Sequence, residues 1–230
     1  MTPRMKVVLF GATGMVGQGA LRECLRDPDV ETVLAVGRAA TGQNHPKLSE
    51  LVHKDMHDFS AIAGDLTGYD ACLFCLGITS AGMSEADYRR VTYDIALSAA
   101  NTLVERNPTM TFIFVSGAGT DASEQGRTMW ARVKGQTENA IARLPFKATY
   151  MFRPGIIQPL HGIQSKTASY RILYVALAPL MWFLKLAWPS MITTTERVGR
   201  AMLEVAKRGS DKHILENRDI NAVALPLLAA

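Results

Sequence analysis

The sequence predicts a doubly wound α/β fold, in which a parallel sheet carries helices on both faces. Three observations point there. Apolar, β-branched runs alternate with helical stretches, a glycine-rich turn joins the first run directly to the first helix, and no linker, internal repeat or low-complexity tract divides the 230 residues. Parallel strands require crossover connections, and the intervening helices supply them. The expected organisation is one domain over residues 1–230, within which residues 158–192 form a smaller apolar elaboration above the C-terminal edge of the sheet.

The elements follow in order. Lys6 to Phe10 reads as a buried strand and Met15 to Arg26 as a helix; Thr32 to Val36, Leu51 to His53 and Ala71 to Leu76 read as strands. A long helix from Ser84 to Glu105 is opened by Ser84 as N-cap, with Glu85 and Asp87 in its first turn at the positive end of the dipole. Thr111 to Ser116 is the next strand, Ser123 to Ala142 the next helix and Ala148 to Phe152 a further strand. Past Arg153 the alternation loosens into Pro154-Gly155 and Pro159. Thr193-Thr194-Thr195-Glu196 then opens a helix that ends near Lys207, where Arg208-Gly209 stops it, and Lys212 to Glu216 adds a last strand.

Gly11, Gly14 and Gly17 form a Gly-x-x-Gly-x-x-Gly turn between the first strand and the first helix. One glycine permits the sharp reversal, one lets the backbone approach a diphosphate with no side chain between, and one lets the helix pack close to the strand. The helix then points unpaired N–H groups and its positive end at the anion. Thr13, Met15 and Val16 complete the same cradle. The bland alternative is a tight turn without a ligand, and the strand-turn-helix context argues against it.

The second strand ends at Gly37-Arg38, where an acidic residue would grip an adenosine ribose. A guanidinium there suits a 2′-phosphate, so NADP is expected ahead of NAD. Asp55 and Met56, past the third strand, are candidates for the adenine edge and face, and Leu76-Gly77 lets the sheet edge run beside the dinucleotide. Cys72 and Cys75 resemble a C-x-x-C pair. On a strand their side chains diverge to opposite faces, so both read as small core residues, and no metal site is expected.

Composition excludes several classes. The net charge of +4 comes from scattered Lys and Arg with no long basic run, which argues against a dedicated nucleic-acid ligand. Three cysteines without framework spacing suit a reducing compartment, and with no signal-peptide pattern before the first strand the expected location is cytoplasmic. Tyr170 to Ile192 is nearly long enough to span a bilayer, but Arg171, Pro179, Lys185 and Pro189 interrupt it. Two short apolar helices are expected instead, lining a substrate site, a subunit interface or a membrane surface.

Together, GATGMVG at Gly11 to Gly17, VGR at Val36 to Arg38, VSGAG at Val115 to Gly119, WARVKGQTE at Trp130 to Glu138 and FRPGII at Phe152 to Ile157 resemble the short-chain dehydrogenase/reductase superfamily. The resemblance is nearest to its atypical NmrA-like and Tat-interacting-protein-like members. It implies a Rossmann-type domain with a nicotinamide dinucleotide, a Ser at the fifth strand's end, and a Tyr-x-x-x-Lys on the following helix. Ser116 matches the serine and Lys134 the lysine, which the resemblance also makes a ribose ligand; Pro154 to Ile157 would meet the carboxamide. The tyrosine position holds Trp130, expected to wall the substrate pocket. An indole N–H does not ionise near neutral pH and cannot act as acid or base.

Tyr88, Tyr93, His161 and Tyr170 are candidate substitutes, each more readily explained by packing. Three functions are therefore expected to compete. The first is an NADP-dependent oxidoreductase or epimerase-like enzyme acting on a small or moderately apolar carbonyl or alcohol, with Ser116 polarising the oxygen. The second is an NADP(H)-binding redox sensor without turnover. The third is a protein that contacts membrane surfaces through residues 170–192. The resemblance also implies a homodimer formed through the helices around the lysine.

Overall fold

The computed structural model describes residues 4–163 and 191–224. Most of the expected apolar elaboration, Tyr170 included, lies outside the described residues. Elements run β1 (Met5–Phe10), α1 (Met15–Arg26), β2 (Val30–Gly37), β3 (Leu48–Val52), β4 (Ala71–Phe74), α2 (Glu85–Arg89), a π turn (Arg90–Asp94), α3 (Ile95–Arg106), β5 (Thr111–Val115), α4 (Met129–Ala142), β6 (Ala148–Arg153), β7 (Ile156–Gln158), β8 (Ile192–Thr194), α5 (Thr195–Arg208), β9 (Ile214–Glu216) and α6 (Asn217–Ala224).

Among the described residues, a seven-stranded sheet has the order β3-β2-β1-β4-β5-β6-β9, and β7 pairs with β8 in a separate two-stranded sheet. Each pairing in the large sheet is parallel. Alternation along β1 sends Val7 and Leu9 to one face, against Ala20 and Leu21 of α1 and Val198 and Met202 of α5. Val8 and Phe10 go to the other face, with Ala96, Ala100 and Leu103 of α3 and Ile141 of α4. The two cores make the expected three-layer, doubly wound architecture. On the first face α1 and α5 cross at glycines: a Cβ on Gly19 would lie 2.5 Å from the Thr195 carbonyl oxygen, and one on Gly199 would lie 2.9 Å from the Gly19 oxygen.

The cysteines fall as alternation requires. Cys72 is buried in the α3-side core, Cys75 packs against the other, and both are free thiols. Ser84 caps α2 by accepting from the Asp87 amide at 3.1 Å, and Thr194 caps α5 by accepting from the Arg197 amide at 3.1 Å. Gly209, at φ 76°, ends α5.

Most strand ends shift by one or two residues, and three larger differences from expectation have a physical cause. α4 starts at Met129 rather than Ser123, because Asp121 takes up the segment's amides: its carboxylate accepts from Ser123 N at 3.0 Å and Gly126 N at 2.6 Å, holding it as a turn. The long helix expected from Ser84 carries the π turn in mid-course. The third strand begins at Leu48, not Leu51, since it pairs with β2 from Leu48 onwards as a partly exposed edge whose polar Ser49 and Glu50 hide it from an apolar-run reading. The short strands β7 and β8 and helix α6 went unforeseen.

Candidate functional site

The strand order changes direction between β1 and β4, which opens a crevice at their C-terminal ends. Gly11, the first residue past β1, has φ 81°; a Cβ there would lie 2.8 Å from the Cys75 carbonyl and 2.9 Å from Leu76 N at the end of β4. The Gly14 amide donates to the Gly11 carbonyl at 2.9 Å and closes the turn. A Cβ on Gly17 would fall on the Gly11 carbonyl, 2.6 Å from its carbon and 3.0 Å from Ala12 Cα. Gly14 has only the Gly11 oxygen near its Cβ position, at 3.3 Å.

Gly14 is also the N-cap of α1, in an extended conformation, with no side chain capping the helix and no acidic residue in its first turn. A cradle that excludes side chains, under an uncapped and uncountered helix dipole, fits the diphosphate of a dinucleotide. Thr13, Met15 and Val16 stand half-buried around it.

At the expected adenosine end, Arg38 is exposed beyond β2, and the Lys54 ammonium donates to its carbonyl at 2.9 Å, bringing a second cation to the same corner. Asp55 is exposed and accepts from His57 N at 2.9 Å. Met56 is instead buried in the α3-side core, which leaves it almost no surface for an adenine. Leu76 is half-buried and Gly77 exposed, with open space at its Cβ position.

The other expected groups meet where β5 and β6 end. The loop after β5 extends the ladder: Ser116 N donates to Phe152 O and Ala118 N to Pro154 O, both at 2.9 Å. Lys134 of α4 reaches this loop and donates to the Ser116 carbonyl. Burial pushes the Lys134 ammonium down to about 8, against the opposing pull of Glu138. Half-buried Trp130, one turn earlier, lays its ring against Gly119: a Cβ there would lie 3.5 Å from Cη2. Trp130 and Lys134 thus flank one glycine-rich loop, as their i, i+4 spacing allows. Pro154 is buried beside the loop, and Ile157 is buried in β7 opposite Thr193.

The hydroxyl of Ser116 is engaged inward. Ser116 is buried, and Oγ donates to Glu138 Oε1 at 2.5 Å, with the Phe152 carbonyl 3.2 Å away. Its single proton is therefore committed to a carboxylate rather than offered to the crevice. That carboxylate is itself held by Arg153, whose Nε reaches Oε1 at 3.0 Å and whose Nη2 reaches Oε2 at 2.5 Å; Arg153 Nη1 also meets Glu216 at 3.2 Å. Glu138 and Arg153 are both buried, and the paired carboxylates keep the guanidinium firmly protonated. This buried network escaped the sequence reading, although Glu138 lies two turns from Trp130 and one from Lys134 along one helix face.

The substitute donors fare unequally. Tyr88 is buried, Tyr93 lies with its ring 3.9 Å from the Arg89 guanidinium carbon, and exposed His161 is bonded to Glu196 at 2.6 Å. None of these contacts involves the loop at Ser116. Among the described residues no helix is long and apolar enough to cross a membrane.

Comparison with known proteins bears on the family and the fold. The model of a family described as NAD(P)H-binding matches residues 11–149. The mitochondrial protein FMP52 of Meyerozyma guilliermondii is 27% identical over 159 residues, covering 66% of this chain and 65% of that protein, just short of two thirds of its length. FMP52 of Candida albicans is 26% identical, covering 71% and 74%. A UDP-N-acetylglucosamine 4-epimerase from Methanobrevibacter ruminantium shares the fold with a TM-score of 0.69 at 13% identity, over 94% of this chain and 76% of that one. The Bordetella bronchiseptica enzyme WbmF, solved with NAD+, does so at 0.67 and 13%, over 99% and 79%. The cytoplasmic expectation is overturned by the FMP52 relatives, which are mitochondrial proteins. Sparse, unpaired cysteines do not tell one reducing compartment from another.

Proposed function

We propose, from the premise that the chain belongs to the NAD(P)H-binding family, that it is an NADP(H)-dependent oxidoreductase or epimerase-like enzyme acting on a small or moderately apolar carbonyl or alcohol. The observation that carries the reading is the pairing, along one sheet edge, of an anion cradle at Gly11 to Gly17 with a desolvated Lys134 beside Trp130. Bound there, the nicotinamide would supply or accept hydride. The first-turn amides of α1 would hold its diphosphate, and Arg38 with Lys54 would favour a 2′-phosphate over a bare ribose. Leu76-Gly77 would let the dinucleotide cross the sheet edge, and Pro154 and Ile157 would bound its carboxamide end. Trp130 would exclude water from the reacting face, and Ser116 would serve through its carbonyl, which orients Lys134.

Isothermal titration with NADPH and NADH tests the first half of this reading. Submicromolar NADPH with at least tenfold weaker NADH is expected; equal affinities would remove the role given to Arg38. NADPH oxidation against a panel of aldehydes and ketones tests the second half. A redox-sensing protein without turnover is the alternative, and two observations favour it: Trp130 stands at the tyrosine position and the Ser116 proton is spent on Glu138. Tight NADPH binding with no oxidation across the panel would decide for that alternative.

A further inference from the structure

We propose that Lys134 is itself the proton donor to the substrate oxygen, taking over the acid-base role that Trp130 cannot fill. The proposal rests on the oxidoreductase reading and adds its missing group. Of the three side chains at the positions of the serine, tyrosine and lysine, Trp130 carries no ionisable proton and Ser116 has turned its hydroxyl into the Glu138–Arg153 network. Lys134 alone of the three keeps protons to give: its ammonium has three, and one goes to the Ser116 carbonyl.

The surroundings leave room for a ligand atom. Gly117 follows Ser116 at φ 140°, and the nearest atom to its missing Cβ is Lys134 Nζ itself, at 4.0 Å. Gly119 is exposed, and its missing Cβ would meet the Trp130 ring. Two side-chain-free positions therefore lie between an indole wall and an ammonium. A carbonyl oxygen seated between the Gly117 Cβ position and Nζ would accept a hydrogen bond from the ammonium. As the carbonyl carbon gains hydride from reduced nicotinamide nucleotide, its oxygen takes one proton from Nζ. The products are alcohol, oxidised nucleotide and a neutral amine, which regains its proton from water.

The charges around Lys134 suit that task. Burial favours the neutral amine, bringing the group to about 8, where it gives and regains a proton near neutral pH. Glu138, one turn along α4, opposes the shift, but Arg153 of β6 and the Ser116 hydroxyl already occupy its carboxylate. Of the other charged groups on elements packed against α4, Asp87 of α2 accepts from the Ser84 hydroxyl, Arg90 of the π turn and Glu105 and Arg106 of α3 stand outside the ion pairs of the described residues, and the rest are paired. Glu85 of α2 binds Arg132, Arg89 binds Asp94 of the π turn, and Glu216 of β9 binds Arg153. Tyr88 of α2 is buried, with its hydroxyl pushed up by burial.

Two measurements test the proposal, one of them independent of turnover. In protein carrying isotope-labelled lysine, without nucleotide, the εCH2 resonance missing from Lys134→Arg should titrate near 8, against about 10.4 for exposed lysines. Titration with the exposed lysines overturns the proposal whatever the activity. In turnover, NADPH-driven carbonyl reduction should fall tenfold per pH unit above about 8 and alcohol oxidation should rise through the same region. Lys134→Arg keeps the charge but does not release a proton near neutral pH, and should lose at least 100-fold in turnover and the pH-dependent limb with it. Substantial recovery is expected when Trp130→Tyr is added to that variant. Wild-type turnover that survives Lys134→Arg with its pH profile intact overturns the proposal but leaves the oxidoreductase reading standing. Wild-type protein that binds NADPH and reduces nothing overturns both.

Discussion

The two glycine-containing loops at the sheet edge differ in what builds them. At the β1–α1 turn the surface offered to a ligand is backbone: amides, a helix end, and positions where a side chain would collide. At the β5–α4 loop it is made by side chains, Trp130 and Lys134 outside, Ser116, Glu138 and Arg153 beneath. Backbone chemistry is identical in every residue, so the first loop tolerates change only where a Cβ fits. Side-chain chemistry is replaceable, so the second can keep its architecture while its proton source changes. On the proposed reading, binding and reaction would draw on separate parts of one edge, and an exchange of side chain at the second would not touch the first.

The sharpest way to break this comparison is Gly17→Ala. The added methyl would collide with the Gly11 carbonyl, which belongs to backbone that cannot step aside without opening the β1–α1 turn. A loss of about 3 kcal/mol in unfolding free energy is expected, with NADPH affinity down by more than about 100-fold. Urea denaturation and calorimetry read the two effects. A variant with wild-type stability and affinity would show that α1 does not need to lie so close.

Glu138→Gln probes the layer beneath the second loop. It deprives Arg153 of its buried counter-charge while keeping shape, and should cost about 3 kcal/mol by denaturation. The Ser116 hydroxyl would still donate inward, to the amide oxygen or to the Phe152 carbonyl, but without the charge that strengthens the present bond. If the protein unfolds no earlier than wild type, Glu216 alone suffices for Arg153 and the network is not structural.

How far the sequence announced these regions follows from the same contrast. Gly11 and Gly17 were legible because steric exclusion leaves glycine as the residue that fits, Gly14 through its spacing in the same turn, and strand alternation placed Cys72 and Cys75 on opposite faces. The need of parallel strands for crossovers gave the doubly wound class, whereas the strand order is set by the packing of the whole sheet. Where polar side chains decide, legibility fell. Asp121 moved the start of α4 by collecting amides, Met56 turned inward, and the Ser116 hydroxyl went to Glu138, a partner 22 residues away that only the packing of α4 against β6 brings near. Edge strand β3 was shortened in the reading because its outward face is polar. The very short β7 and β8 pair with each other across a long stretch of chain, which no local pattern reveals.

Arg38→Ser sharpens the comparison at lower cost. An exposed guanidinium beyond β2 should matter to a 2′-phosphate and to little else, so NADPH affinity should fall about tenfold, near 1.4 kcal/mol, while NADH affinity stays level. The effect should shrink as salt rises, since the contact is solvent-exposed. A parallel loss for both nucleotides would mean that Arg38 holds something other than the 2′-phosphate, and Lys54 would be the next cation to remove.

Trp130→Tyr should change least and discriminate most finely. The ring is half-buried against Gly119, and a smaller aromatic in its place should cost about 1 kcal/mol or less in stability. The new hydroxyl would stand one helical turn from Lys134, whose positive charge favours the phenolate, so a second proton donor would enter the site without disturbing the first loop. NADPH affinity should stay within about threefold and carbonyl reduction should rise severalfold, less than 1.4 kcal/mol in barrier. A variant that binds NADPH as wild type does and remains inert would separate the loops entirely: the edge would then be built to hold a nucleotide, with no reaction at its other end for a tyrosine to improve.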